Sequence, residues 1–166
     1  MNVQLRRQDY PTTPLDVVEQ VVSAEEFAYE RTGDGEVHFT APGERLSHQV
    51  WFAWSETIET LHICVGLETR APAKERERTC DLIALLNERL WLGHFDIWSE
   101  DGAIVYRNAI ALPGGGVPDP GQIAALIAAA VEAGERFYPA YNYMVWAGKT
   151  PQEAVSAAMF ETAGEA

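Results

Sequence analysis

Positive charge is scarce in this chain. Its 166 residues carry 12 Lys and Arg against 25 Asp and Glu, a formal net charge of −13. Nucleic-acid binding rests on clustered cations that displace counterions from phosphate. The balance therefore argues against a nucleic-acid partner, and equally against an anionic membrane surface. It favours solubility and repels acidic partners at long range. Cysteine is almost missing: Cys64 and Cys80 are the two present. Both fall inside predicted regular elements, so they read as reduced thiols packed like small hydrophobes, not as a secreted disulfide framework. No run of 18 apolar residues exists to form a membrane-spanning helix. Residues 1–10 hold Arg6 and Arg7 with no apolar stretch behind them, so they do not read as a signal peptide. The expected location is the cytoplasm.

Catalytic motifs are missing too. The four histidines, His38, His48, His62 and His94, lack the close spacing of metal ligands, and no metal or cofactor is expected. Gly148-Lys149-Thr150 matches the end of a phosphate-binding loop, but Tyr143 stands where that motif requires glycine. Gly114, Gly115 and Gly116 precede a helix start without the GxGxxG spacing, and Asp119 repels anions there. No GxSxG elbow is present. His62 and Cys64 share a strand face, yet neighbours two residues apart on a strand lie roughly 7 Å apart, beyond hydrogen-bond reach for a Cys–His pair.

Apolar residues, by contrast, make up 47% of the chain, enough to fill the core of one domain. Residues 1–12 read as a flexible N-terminal arm and 13–166 as a single domain. Thr13 caps a helix with Pro14 at its first position, predicted over 14–27. Turn residues 32–36 join a short strand pair. The clearest strands are 46–54 and 59–68. Leu46, His48, Val50, Phe52 and Trp54 alternate on one face of the first, and Leu61, Ile63, Val65 and Leu67 on one face of the second. Pairing them sets Phe52 near Leu61. The reverse face, with Gln49, Trp51 and Ala53 against Thr60, His62 and Cys64, is semi-polar and open to solvent, a dimer mate or another partner.

A helix is predicted over 73–92, burying Leu82, Ile83, Leu86, Leu90 and Trp91 and capped by Gly93. Asp101-Gly102 signals a hairpin between strands 94–99 and 103–112. A further helix is predicted over 120–138, ended or kinked by Pro139. The aromatic segment 141–146 comes next, and Thr150 and Glu153 form a capping box for a helical tail over 151–161. The order is α-βββ(β)-α-ββ-α plus a helical tail. Hairpin-linked strands make the class α+β, an antiparallel β-sheet packed with helices.

Two segments carry a family resemblance. Residues 85–98 read Leu-Leu-Asn-Glu-Arg-Leu-Trp-Leu-Gly-His-Phe-Asp-Ile-Trp. Residues 135–140 read Glu-Arg-Phe-Tyr-Pro-Ala, followed by Trp-Ala-Gly-Lys-Thr-Pro at 146–151 and Glu-Thr-Ala-Gly-Glu-Ala at 161–166. Together they resemble the YbjN-domain family, described as bacterial sensory transduction regulators. The resemblance implies a fold like that of type III secretion chaperones, often paired as a homodimer. It brings no catalytic or cofactor residue with it.

The leading expectation is a non-enzymatic, cytoplasmic protein-binding or regulatory module, a homodimer with an unidentified protein partner. Trp and Tyr pair an apolar body with a polar tip and anchor interfaces. The candidate partner-binding residues are Trp51, His62, Trp91, His94, Trp98, Tyr141 and Trp146. A small-ligand sensor with a pocket between sheet and helices is the alternative, motivated by the aromatic corners 91–98 and 138–146. An enzyme using Cys64, Glu88 or Asp96 is the third.

Overall fold

Thr13 and Asp16 start the first helix, α1 (Pro14–Ala24), by capping each other's backbone. The Asp16 N–H donates to Thr13 Oγ1 at 3.3 Å and the Thr13 N–H donates to the Asp16 carboxylate at 2.9 Å, which satisfies donors that a helix start leaves unpaired. This is a computed structural model; it describes residues 13–33 and 35–163, with the backbone alone for 160–163. The expected arm, residues 1–12, lies outside the described residues. The α1 helix stops short of the expected residue 27 because Glu26 turns the chain at φ 59°. Phe27 then stacks on Phe39 at 5.9 Å.

Six strands follow the hairpin logic of the sequence: β1 (Tyr29–Thr32), β2 (Glu36–Pro42), β3 (Ser47–Ser55), β4 (Thr60–Arg70), β5 (His94–Ile97) and β6 (Ala103–Ala111). They form one antiparallel sheet in the order β1-β2-β3-β4-β6-β5. The β3–β4 register differs by two residues from the expected one. Phe52 faces Ile63 and Trp54 faces Leu61. The cause is the turn: Glu59, at φ 45°, belongs to the loop, so Ser55 and Thr60 close the hairpin. A shift of two preserves which side chains share a face, so the faces are as expected except at Leu46, which precedes β3 and is exposed.

The apolar face carries Phe39, Val50, Phe52, Ile63, Val65 and Tyr106 into the core, where the helices cover it. With α1 these helices are α2 (Arg76–Asn87), entered through a 3-10 turn at Ala73–Glu75, and α3 (Pro120–Val145), while α4 (Pro151–Ala163) packs on α2 and α3.

Two later helix ends also depart from expectation, each with a local cause. The α2 helix ends at Asn87, five residues early, because the Asn87 side chain turns to β5. Its Nδ2 donates to the Phe95 carbonyl at 3.2 Å and its Oδ1 accepts from the Phe95 N–H at 2.8 Å. Trp91 thereby leaves the helical stripe and stands 99% exposed, not buried. Gly93 serves the following turn at φ 69°, where a Cβ would approach the Arg107 carbonyl oxygen at 2.6 Å.

The α3 helix runs through Pro139 to Val145. Proline removes one backbone hydrogen bond there, but the buried stripe of Ile123, Leu126, Ala130, Phe137, Ala140 and Met144 continues past it at helical spacing. Packing outweighs the lost bond. Arg78 ties the end of α3 to the next turn, donating to the Met144 carbonyl at 3.4 Å and the Lys149 carbonyl at 2.8 Å. Thr150 and Glu153 then cap α4 as the sequence predicts, the Glu153 N–H donating to Thr150 Oγ1 at 3.3 Å.

Candidate functional site

Side-chain alternation puts the helices on one side of the sheet, and the described residues leave the other side uncovered. A single cross-strand row runs over that open face: His38 on β2, Trp51 on β3, Cys64 on β4, Arg107 on β6 and His94 on β5, each in register with the next. A second row sets Glu36, Ala53, His62 and Ala109 side by side. Three of the four histidines therefore share one surface. His48 is the exception, facing the core as its alternation predicts, so His48 and His62 do lie on opposite faces.

Trp51 organises the middle of this face. Its ring stacks on His38 at 6.3 Å and 12°. The ring also reaches Gly66 on β4, where an added Cβ would sit 3.6 Å from Trp51 Cζ3. Cys64, between Trp51 and Arg107 in the row, is buried. Burial pushes the Cys64 thiol up, and the Arg107 guanidinium partly offsets this by charge and hydrogen bonding. A thiol held protonated is a poor nucleophile. Cys80 is exposed, and both thiols are free.

Acids and bases are interspersed on the face. Burial, Arg107 and His94 together hold the His62 imidazole below the usual histidine range. Asp96 reaches Arg107 at 3.5 Å, and Glu36 pairs with His38 Nε2 at 2.7 Å. Among the described residues, no group of three or more His, Cys, Asp or Glu is disposed to hold a metal ion.

Of the residues singled out from sequence, Trp51, His62 and His94 come together on the open face. Trp98 follows β5 directly and donates its N–H to the Ala103 carbonyl at 2.9 Å. Trp91 projects from the loop that leads into β5. Trp146 lies elsewhere, 83% exposed at the end of α3, beside a groove of about 590 Å³ that it lines with Leu46, Tyr138 and Tyr143. Tyr141 belongs to the core: its ring stacks on Phe137 at 5.4 Å and its hydroxyl donates to the Arg70 carbonyl at 3.3 Å. It takes no part in a surface.

One buried polar pair escaped sequence reading. His48, 2% exposed, donates from Nε2 to Glu135 Oε1 at 2.9 Å, and the second carboxylate oxygen accepts the Arg45 N–H at 3.2 Å. The pair joins the β2–β3 turn to α3. Gly134 leaves room for the ring, since a Cβ there would lie 2.6 Å from His48 Cε1. The partners are 87 residues apart, so no spacing could reveal them. A histidine in an apolar alternation and a glycine in a helical stripe were the available signals. Glu135 also edges a groove of about 780 Å³ between α1, the β2–β3 turn and α3, with Val21, Phe27, Ile127 and Val131 among its apolar lining.

The helix-backed antiparallel sheet with one face bare defines the class, a type III secretion chaperone-like α+β fold. The chain belongs to the YbjN family, whose model, described as "Putative bacterial sensory transduction regulator", matches residues 14–142. Among solved structures, the chain is similar to YbjN from E. coli, described as "a putative transcription regulator", at 8% identity and TM-score 0.52, covering 74% of this chain and 87% of that one. It is also similar to a chain in the HopA1–SchA chaperone–effector complex, at 13% identity and TM-score 0.52, covering 72% and 88%. No curated protein sequence matches it.

Proposed function

We propose that this chain is a non-enzymatic regulatory module that holds a segment of another protein on the open face of its sheet. The observation that carries this reading is the uncovered face itself. It presents Trp51, His62, His94 and Arg107 on a surface that no helix of the described residues covers. An aromatic ring among half-buried polar groups is the composition of an interface centre. The family description and the chaperone-like fold support a binding role. The protonated Cys64 thiol also supports a role without covalent chemistry.

The module works in the cytoplasm as a homodimer. Two free thiols, one of them exposed, fit a reducing compartment. Sedimentation equilibrium is expected to give twice the mass of one chain; a monomer at micromolar concentration would remove the dimer.

Affinity capture of the tagged full chain from its native host tests the binding surface. The wild type and Trp146→Ser are expected to recover the same protein at near-equal molar yield, and Ala109→Arg to lose it. Ala109 is exposed on the open face, so the substitution blocks the face without disturbing the core. Equal recovery by Ala109→Arg would show that the face is not the binding surface.

A specific observation also favours a small-ligand reading. The groove of about 780 Å³ is of ligand size. It lies at the end of α1 and not at the 91–98 corner, while the 138–146 corner lines the smaller groove beside Trp146. A thermal-shift screen with metabolites, repeated on Val131→Arg, checks this. A shift abolished by Val131→Arg supports the groove, and no shift across the library opposes it.

A further inference from the structure

We infer that the groove of about 780 Å³ between α1, the β2–β3 turn and α3 binds a small cationic amphiphile. The apolar body of this ligand lies against Val21, Phe27, Ile127 and Val131, and its ammonium group meets the carboxylates of Glu25, Glu44 and Glu135. This deepens the small-ligand reading given above and rests on it.

Charge decides the class of ligand. Four carboxylates line the groove, those of Glu25, Glu44, Glu132 and Glu135, against the two guanidiniums of Arg45 and Arg136. Arg136 pairs with Glu132 on its own helix, and Arg45 is engaged as well. The nearby Arg31 is committed to Asp16 and Glu19, at 2.7 Å each. Glu25 and Glu44 are exposed and have no cationic partner among the described residues. Glu135 stands deeper, its side chain 16% exposed. Its oxygens accept from His48 Nε2 and from the Arg45 backbone N–H, neither of them a lysine or arginine side chain. A carboxylate offers about four lone-pair sites, so these two bonds leave acceptor capacity for an ammonium. Val21 and Ile127 are buried and Phe27 and Val131 half-buried between these acids. A ligand that matches both surfaces carries a cation on an apolar body. An anionic analogue meets like charge instead.

Local structure fixes these groups before a ligand arrives. The Gly43 N–H donates to the Leu46 carbonyl at 2.8 Å and closes the turn that carries Glu44 and Arg45. A Cβ at Gly43 would collide with Glu135 Oε1, so only glycine lets the turn settle against that carboxylate. Glu25 caps α1, donating its N–H to the Val21 carbonyl at 3.1 Å. Phe27 is held by its stacking on Phe39. Acids thus reach the groove from α1, the turn and α3, on a frame that needs little ordering, which lowers the cost of binding. The groove beside Trp146 shows the contrast: among the described residues it is lined by Arg45 and by no carboxylate. Since Glu25 and Glu44 are open to water, salt screens their share of the attraction.

Titration of the full chain, followed by methyl NMR signals, tests the inference. The probes are 4-phenylbutylammonium, 4-phenylbutanol, 4-phenylbutyrate and putrescine. The phenylbutylammonium is expected to shift the Val21, Ile127 and Val131 signals saturably. It is expected to bind at least tenfold more tightly than phenylbutyrate or putrescine, with the alcohol between. Its affinity is expected to fall at least threefold in the double variant Glu25→Gln/Glu44→Gln, and likewise on raising the salt to about 0.5 M. Val131→Arg is expected to abolish binding, with native spectra elsewhere. Phenylbutyrate or the alcohol binding as tightly as the ammonium, or a double variant that binds like the wild type, would overturn the charge assignment while leaving a groove that takes small ligands. Putrescine binding as tightly would overturn it too, since that marks general attraction to an acidic chain. If no probe moves these signals, the small-ligand reading falls with the inference.

Discussion

Glycine 134 shows how much a single atom decides in this protein. Exchanging glycine for alanine inside a helix ordinarily stabilises it by about 1 kcal/mol. Here the new Cβ would lie 2.6 Å from the buried His48 ring, and overpacking of that kind costs roughly 1–3 kcal/mol. Gly134→Ala is therefore expected to destabilise, read as a lower urea midpoint. A midpoint raised by the substitution would show that the His48–Glu135 pair moves aside freely. His62 provides a second residue-level expectation. Its folded pKa is lowered, so its neutral form is the one that folding favours. The sign follows: its contribution to stability is present above the ordinary histidine pKa of about 6.5 and is lost as pH falls through the depressed folded value. NMR titration should find His62 titrating below that reference, and Arg107→Gln should raise it. No change in Arg107→Gln would mean that burial and His94 set the shift without Arg107.

At the scale of elements, Asn87 performs two tasks: it ends α2 and seals the edge of β5. Asn87→Ala leaves the Phe95 N–H and carbonyl without those partners. Loss of about 1–3 kcal/mol is expected, with faster amide exchange at Phe95 and association that grows with concentration as the edge opens. Trp91→Ser, one loop away and fully solvated, is expected to change stability by less than about 0.5 kcal/mol.

The contrast marks what sequence could and could not show at this scale. Turn and cap chemistry was legible: Thr13 with Pro14, Asp101-Gly102 and Thr150 with Glu153 act locally, so their partners stand nearby in the chain. The faces of β3 and β4 were legible because alternation does not depend on the turn. Their register was not, since Glu59 adopts a backbone conformation that its residue type does not announce. The ends of α2 and α3 were hidden for a related reason. Asn87 acts on a strand eight residues away, and the stripe through Pro139 is held by tertiary packing.

For the whole molecule, the sheet has one face buried under α1, α2 and α3 and one face bare among the described residues. The bare face was visible in sequence as a semi-polar alternation of Trp51, His62 and Cys64. The full cross-strand row was not, because Arg107 and His94 reach it from β6 and β5, far along the chain.

Site-specific photo-cross-linking in the native host tests the central claim most directly. One cross-linker is placed at Ala109 on the open face and one at Ala128 on the exposed side of α3. A discrete adduct from Ala109, weakened by Trp51→Ala and absent from Ala128, is the predicted result. An adduct from Ala128 alone would mean that the protein meets its partner through its helices, and that the bare sheet face is not the working surface.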